Sequence, residues 1–338
     1  MIGRLVRSAC VWYVYFPHVA LLRLLGPRVA LLLTRLFAYL HWLVTFGGGH
    51  TQARQALAHA LPAVAPHLRL STVMRRYLEA KHQRFVEWYL YPTRRGRRFV
   101  EQTYRHLEGR EHLDAALAEG KGVILLVFHF GMAKMIFPAL QALGYDNYHH
   151  VFRGATYADE TIGPVAEAAR DALARVEERS GLKVIYHRPY FTFATMVRHL
   201  RRNAIVGMNG DGMMGTEFVD LPFLGGTMTF PTGPARLAAK AGAAIVPVYA
   251  LPEGLTRHRL IVHAPILCPE DTREAVDTVV GEYVALLGQY VRRYPWAWWT
   301  WRRLEVDEIA TGQARYTARA LVAEEGTYHA PALTTHTP

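Results

Sequence analysis

The sequence predicts an α/β protein: a largely parallel central sheet flanked by helices, preceded by hydrophobic N-terminal helices suited to membrane attachment. Three observations lead there. Beyond residue 120, short apolar runs alternate with stretches of helical period, the pattern of a parallel sheet covered on both faces. The run Gly122-Val-Ile-Leu-Leu-Val-Phe128 is continuously apolar, as a strand buried on both faces requires. Hydrophobic residues make up 51% of the 338 positions, and much of that excess sits in the first fifty. The organisation that follows is an N-terminal membrane-associated segment (1–48), an α/β domain (49–307) and a mobile tail (308–338).

From Leu5 to Phe46 the chain is apolar with spaced basic residues: Arg7, Arg23, Arg28 and Arg35. A signal peptide would need a small-x-small cleavage site after the apolar stretch, and none stands out. A spanning helix needs roughly 18 apolar residues in a row, and Pro17, His18 and Arg23 interrupt the run. Helices lying in the interface meet both objections, with arginines reaching for anionic headgroups and Trp12, Tyr13, Tyr15, Phe16 and Trp42 at headgroup depth. A soluble helical cap is the plain alternative.

Gly47-Gly-Gly-His50 separates this segment from Thr51–Trp88, which reads as helical with a break near Pro62–Pro66. Arg94-Arg95-Gly-Arg97-Arg98 reads as a solvated loop or as a phosphate or headgroup contact. Strands are expected at Val123–Phe128, Asn147–Phe152, Lys183–Tyr186, Ala204–Met208, Ala244–Ala250 and Arg259–His263. Helices are expected near Ala133–Leu143, Gly163–Ser180, Phe191–Arg202, Pro234–Ala241 and Arg273–Tyr294. The tail beyond Asp307 lacks a sustained apolar period.

The formal charge of +11 favours acidic partners: anionic lipid, an acidic carrier protein or nucleic acid. No recognised nucleic-acid-binding motif accompanies the charge, so that partner is set aside. Two cysteines, Cys10 and Cys268, argue against a disulfide framework and suit a reducing compartment. No Cys/His cluster has zinc-ligand spacing, so no metal is expected.

The candidate chemistry begins at His129-Phe-Gly-Met-Ala-Lys134. An imidazole directly after a buried strand sits where α/β folds place their reacting groups, and it can serve as a general base. Gly131 lets a ligand approach the backbone. Gly210-Asp-Gly212-Met-Met-Gly215 matches a dinucleotide fingerprint, but Thr216–Phe223 reads as extended chain where a helix is required, so a Rossmann site is rejected. Asp211 in that loop remains a candidate to face the site. Arg153 closes the next strand, as surface residue or phosphate clamp. His149 and His150 read as structural. Met132, Met135, Ile136, Phe137 and Leu140 form a stripe of core type, the kind of residue that would also line an acyl channel. Four tryptophans between Trp296 and Trp301 cannot all face inward from one regular element.

Together these segments resemble the late acyltransferases of lipid A biosynthesis and their lysophospholipid acyltransferase relatives. His129-Phe-Gly is similar to the start of that family's His-x-x-x-x-acid motif, and Asp211 matches its Asp in the loop after a strand. Leu221-Pro-Phe-Leu-Gly225, Pro231-Thr-Gly-Pro-Ala-Arg-Leu-Ala238 and Gly242-Ala-Ala-Ile-Val-Pro-Val248 resemble its signature block, and Trp299-Thr-Trp-Arg-Arg303 its closing tryptophan and basic pair. The resemblance covers roughly residues 5 to 305. It implies a glycerolphosphate-acyltransferase-like fold and transfer of a fatty acyl group from acyl carrier protein or coenzyme A to a lipid-linked hydroxyl. No cofactor is implied beyond that thioester. His129 and Asp211 would be catalytic, with Arg153, Gly131, Lys134 and Glu217 at substrate. The place implied is the cytoplasmic side of a bacterial inner membrane.

One position departs. Lys134 stands where the family carries Glu or Asp. A carboxylate there fixes the imidazole tautomer and stabilises the imidazolium, and Lys does neither. Either another acid substitutes, Asp211 first and Glu217 second, or the acceptor is a better nucleophile such as an amine, or the chain binds lipid without transferring acyl groups. The retained His129 and Arg153 favour activity.

Overall fold

A computed structural model describes residues 12–44, 51–152, 164–186, 191–212, 215–254, 256–308 and 314–318. The chain begins with a π-helical turn at Val14–His18, then α1 (Val19–Leu25) and α2 (Pro27–Val44). Gly26 separates the two helices at φ 82°, a conformation that favours glycine. Leu22, Ala30 and Leu31 pack on Val86 and Leu90 of α4 (Leu70–Leu90), which follows α3 (Thr51–Val64). The outer side of α1 and α2 exposes Leu21, Leu24, Val29, Leu32, Leu36, Leu40 and Leu43. Among the described residues no helix is long and apolar enough to cross a membrane.

The main sheet has seven strands: β1 (Leu107–Glu108), β2 (Val123–Val127), β3 (Tyr148–Phe152), β4 (Val184–Tyr186), β5 (Ile205–Asn209), β8 (Ala244–Pro252) and β9 (His258–Val262). Their order is β1-β9-β8-β2-β5-β3-β4, and only the β8–β9 pair is antiparallel. The largely parallel sheet expected from the alternation is therefore present. β2 lies between β5 and β8, which is why all five of its residues are apolar and buried. Ile124 and Leu126 enter one core cluster while Val123, Leu125 and Val127 enter the other, so successive side chains feed the layers on opposite faces. The stripe Met132, Met135, Ile136, Phe137 and Leu140 is wholly core.

The other helices are α5 (Arg94–Thr103), α6 (Arg110–Ala118), α7 (Ile136–Ala142), α8 (Pro164–Ser180), α9 (Phe191–Leu200), α10 (Gly233–Ala241) and α11 (Arg273–Arg293). α5 corrects the loop expected at Arg94–Arg98. Thr93 caps it by accepting from the Gly96 N–H at 3.0 Å, and a Cβ at Gly96 would meet the Leu90 carbonyl oxygen at 1.9 Å. Arg95 donates to the Leu24 carbonyl at 3.1 Å, and Arg97 to the Arg179 carbonyl at the end of α8 at 3.0 Å. Half of the basic cluster thus binds the fold together; Arg94 and Arg98 stay exposed.

A second sheet of four strands has the order β10-β11-β7-β6, from β6 (Phe218–Phe223), β7 (Gly226–Pro231), β10 (Leu304–Glu308) and β11 (Ala314–Ala318). The β6–β7 hairpin turns on Leu224 and Gly225, both at positive φ (53° and 83°), the two-residue loop whose twist suits paired strands. β11 pairs antiparallel with β10 and parallel with β7. A tail expected to lack structure from 308 onwards therefore contributes a strand, because residues 304–308 offer it an edge.

Candidate active site

β2 and β5 are parallel neighbours, with Val127 opposite Asn209. His129 and Asp211 each follow two residues later, so strand register alone brings them to the same edge of the sheet. The His129 Nδ1 lies 2.9 Å from Asp211 Oδ1. The His129 backbone N–H also donates to both carboxylate oxygens, at 3.0 and 3.2 Å. Trp298 Nε1 and Thr300 Oγ1 donate to Oδ2 at 2.8 and 3.0 Å. The Asp211 side chain is 0% exposed and that of His129 19%, so the acid is enclosed while the base meets solvent.

Burial by itself pushes the Asp211 carboxyl up, but the facing His129 and the surrounding N–H donors outweigh it. The net pKa lies below the ordinary carboxylate value. A carboxylate only accepts hydrogen bonds, so His129 Nδ1 must carry the proton it donates. That fixes the lone pair on Nε2, the atom a general base uses.

The closing segment holds this pair in place. It runs through two 3₁₀ turns, Pro295–Ala297 and Trp299–Arg303. Trp299 N–H donates to the His129 carbonyl at 2.7 Å, Gly131 N–H to the Ala297 carbonyl at 2.9 Å, and Trp299 Nε1 to the Gly131 carbonyl at 2.9 Å. The Trp299 ring stands edge-on to the imidazole at 5.9 Å. The tryptophans divide accordingly: Trp298 and Trp301 are fully buried, while Trp299 flanks His129 and Trp296 lies under Arg76. A cavity of about 240 Å³, lined in part by Leu31, Arg76, Ala80 and Trp296, opens between α2 and α4 and includes neither His129 nor Asp211.

The remaining candidates fall out differently. Gly131 is buried at φ 53°, and a Cβ there would meet the Ala250 carbonyl oxygen at 2.1 Å. Its missing side chain makes room for β8. The Glu217 carboxylate, the second candidate acid, pairs with Arg236. The glycine at 210 is likewise a packing requirement, since a Cβ would meet the Phe128 ring at 2.6 Å. Lys134 lies in a 3₁₀ turn, Ala133–Met135, its Nζ 4.9 Å from the centre of the Trp88 ring. His150 is stacked on Phe137 at 4.5 Å within the core side of β3. Arg153 lies outside the described residues. Among the described residues no group of His, Cys, Asp and Glu is arranged to hold a metal ion.

Sequence reasoning did not assign Trp298 and Thr300 to Asp211. They lie 87 and 89 positions away along the chain, and only the fold joins them.

Comparison with known proteins shows the family. Phosphatidylinositol mannoside acyltransferase from Mycobacterium tuberculosis, in strains CDC 1551 / Oshkosh and ATCC 25618 / H37Rv, is 30% identical over 214 residues. That match spans 61% of this chain and 63% of the relative, so the chain covers less than two thirds of those proteins. The sequence profile described as bacterial lipid A biosynthesis acyltransferase matches residues 4–304. That interval holds β2 with His129, the Asp211 loop and the tryptophan segment closing over both, and the chain accordingly belongs to the bacterial lipid A biosynthesis acyltransferase family.

Proposed function

We propose that this protein transfers a fatty acyl group from an acyl thioester, on acyl carrier protein or coenzyme A, to a hydroxyl of a lipid or glycolipid acceptor at a membrane surface. The observation that carries the proposal is the 2.9 Å contact between His129 Nδ1 and the enclosed Asp211 carboxylate. His129 Nε2 takes the acceptor proton as the hydroxyl oxygen attacks the thioester carbonyl, and later returns it to the departing thiolate. Asp211 orients the imidazole and stabilises the imidazolium formed between those events. On this reading the acid absent at position 134 is supplied by Asp211, two residues beyond β5, which supports an active enzyme over a silent lipid binder. Arg153 is kept as a substrate phosphate contact. Acceptors of mannosylated phosphatidylinositol type join lipid A precursors in the panel to be tried, after the named relative. The site of action is the cytoplasmic face of a bacterial inner membrane. The free thiol of Cys268 suits that reducing side, and the exposed leucines of α1 and α2 suit an interface.

The test is transfer from labelled acyl thioesters into a panel of bacterial lipids and glycolipids. Wild type should transfer, His129→Ala should abolish turnover, and Asp211→Asn should lower it by roughly 10⁴ by analogy with a misoriented triad histidine. No transfer across the panel, or transfer indifferent to His129→Ala, would remove the proposal.

A further inference from the structure

The cation at position 134 remains to be explained once Asp211 has taken the acid's part. Three features set it apart from a surface lysine. First, it sits on the turn immediately beyond His129, at the mouth of β2. Second, its ammonium is held over the face of Trp88, a residue only 7% exposed. A lysine with no task would extend into water, whereas a cation seated on an indole is fixed in place. One turn earlier in α4, Arg84 lies over the Trp299 ring at 4.5 Å, and Trp299 is the ring that flanks His129. A single helix therefore props both sides of the imidazole's surroundings. Third, the charges of Lys134 and His129 both act on His150 of β3, each lowering its pKa alongside desolvation. Lys134 also acts on Glu177 of α8, whose carboxyl burial lifts to about 7 against the lowering pull of that ammonium.

We propose that Lys134 supplies the positive charge that stabilises the oxyanion formed during acyl transfer, so that this site carries its carboxylate on β5 and a cation where relatives carry the acid. The inference rests on the acyl-transfer reading above. As the acceptor oxygen bonds to the thioester carbonyl carbon, the carbonyl π pair moves onto oxygen and the acceptor proton moves to His129 Nε2. The oxyanion then collapses, the carbon–sulfur bond breaks, and the thiolate recovers that proton as free thiol. Lys134 faces negative charge that exists only between those two events, and so acts on kcat. Asp211, buried and fully engaged, keeps the imidazolium balanced despite the nearby ammonium.

The experiment compares Lys134→Met, Lys134→Arg and Lys134→Glu with wild type in steady-state transfer. Binding of two donor analogues is measured alongside in the presence of acceptor: a trifluoromethyl ketone, to whose carbonyl carbon the acceptor hydroxyl adds as His129 Nε2 takes its proton, leaving a tetrahedral oxyanion, and an uncharged thioether. Lys134→Met should lower kcat by 10²–10³ with little change in either KM, the scale of one lost oxyanion partner. It should weaken the ketone by a similar factor and leave the thioether unchanged, which also reports that the variant is folded. Lys134→Arg should recover most of the loss, and Lys134→Glu should be no better than Lys134→Met. A kcat unaffected by Lys134→Met, a rise in KM alone, or a Lys134→Glu variant faster than wild type would each overturn the inference. His129-dependent turnover with indifferent Lys134 variants removes this inference alone. Absent turnover in wild type, with ketone binding equal across the variants, removes the acyl-transfer reading as well.

Discussion

Asp211 is enclosed, yet its pKa lies below the ordinary carboxylate value because the facing imidazole and its N–H donors outweigh burial. A group whose folded pKa is depressed contributes stability that is present above its unfolded pKa and lost as pH falls through the folded one. Thr300→Val removes the donor at 3.0 Å from Oδ2 and should move that loss to higher pH, read from denaturation midpoints between pH 3 and 6. A hydrogen bond to a charged group contributes about 1.5–3 kcal/mol, so the same variant should lower kcat on the order of tenfold with KM little changed. In a His129→Ala background the substitution should do nothing further to the residual rate, because the two groups act as a unit. An additive loss would mean that Thr300 serves some other part of the site. The two members of the candidate pair were legible in the residues themselves: His129 follows an apolar run, and Asp211 sits in a glycine turn after another. Their donors Trp298 and Thr300 were not, because no local pattern reveals a partner at the far end of the chain. Gly131 shows a related ambiguity. A glycine beside a site signals close approach, but the sequence does not say whether ligand or backbone comes close, and here it is the Ala250 carbonyl.

At the scale of elements, β3 shows how a strand takes on a pH liability. His150 is stacked on Phe137, and desolvation, with Lys134 and His129 adding to it, lowers its pKa to about 3; its neighbour His149, whose ring is tilted against that of His199 at 3.7 Å, falls to about 4. Between those values and the ordinary 6.5 the unfolded chain binds protons that the folded chain refuses, so stability falls as pH drops below about 6.5. For His150 alone the loss from pH 7 to pH 5 is about 2 kcal/mol. Chemical denaturation at the two pH values should show that difference shrink in His150→Leu, whatever the variant's absolute stability; an unchanged difference would place the liability elsewhere. Most strands and helices of the main sheet were readable from apolar runs and turn residues, because both report local burial. Strand order was not: β5 rather than β3 lies next to β2, and this alone carries Asp211 to His129. α5 was missed because four arginines and a glycine hide its apolar side, and its one local signal is the Thr93 cap. The second sheet was missed because two of its strands come from beyond residue 300, where pairing of β10 with β11 and of β11 with β7 replaces a hydrophobic pattern of their own.

Seen whole, the molecule is apolar where a soluble protein would not be. Val29, Leu32, Leu36, Leu40 and Leu43 are 41–58% exposed and recur at helical spacing along α2, while Ala30, Leu31 and Ala38 are buried on its other side. A helix apolar on both sides needs a second apolar neighbour, and a lipid surface is the one our proposal supplies. Arg95 bonds to the Leu24 carbonyl, which sets the N-terminus of α5, with exposed Arg94 and Arg98, beside the α1–α2 corner. Leucines entering the acyl boundary beside arginines at the headgroups would bind an anionic bilayer by two separable terms. Leu32→Ser, Leu36→Ser and Leu40→Ser together should weaken vesicle binding by about 1 kcal/mol per half-exposed side chain, or roughly a hundredfold in all. That loss should be nearly the same for anionic and neutral vesicles. Arg94→Gln with Arg98→Gln should cost about 1 kcal/mol per charge on anionic vesicles only, and the loss should fade as salt is raised. Co-sedimentation across a salt series separates the two. Transfer to a short-chain, water-soluble acceptor should be unchanged in either set, since neither touches His129 or Asp211. Binding indifferent to the leucine changes would mean that α2 is covered by protein and that the charge alone draws the molecule to the membrane.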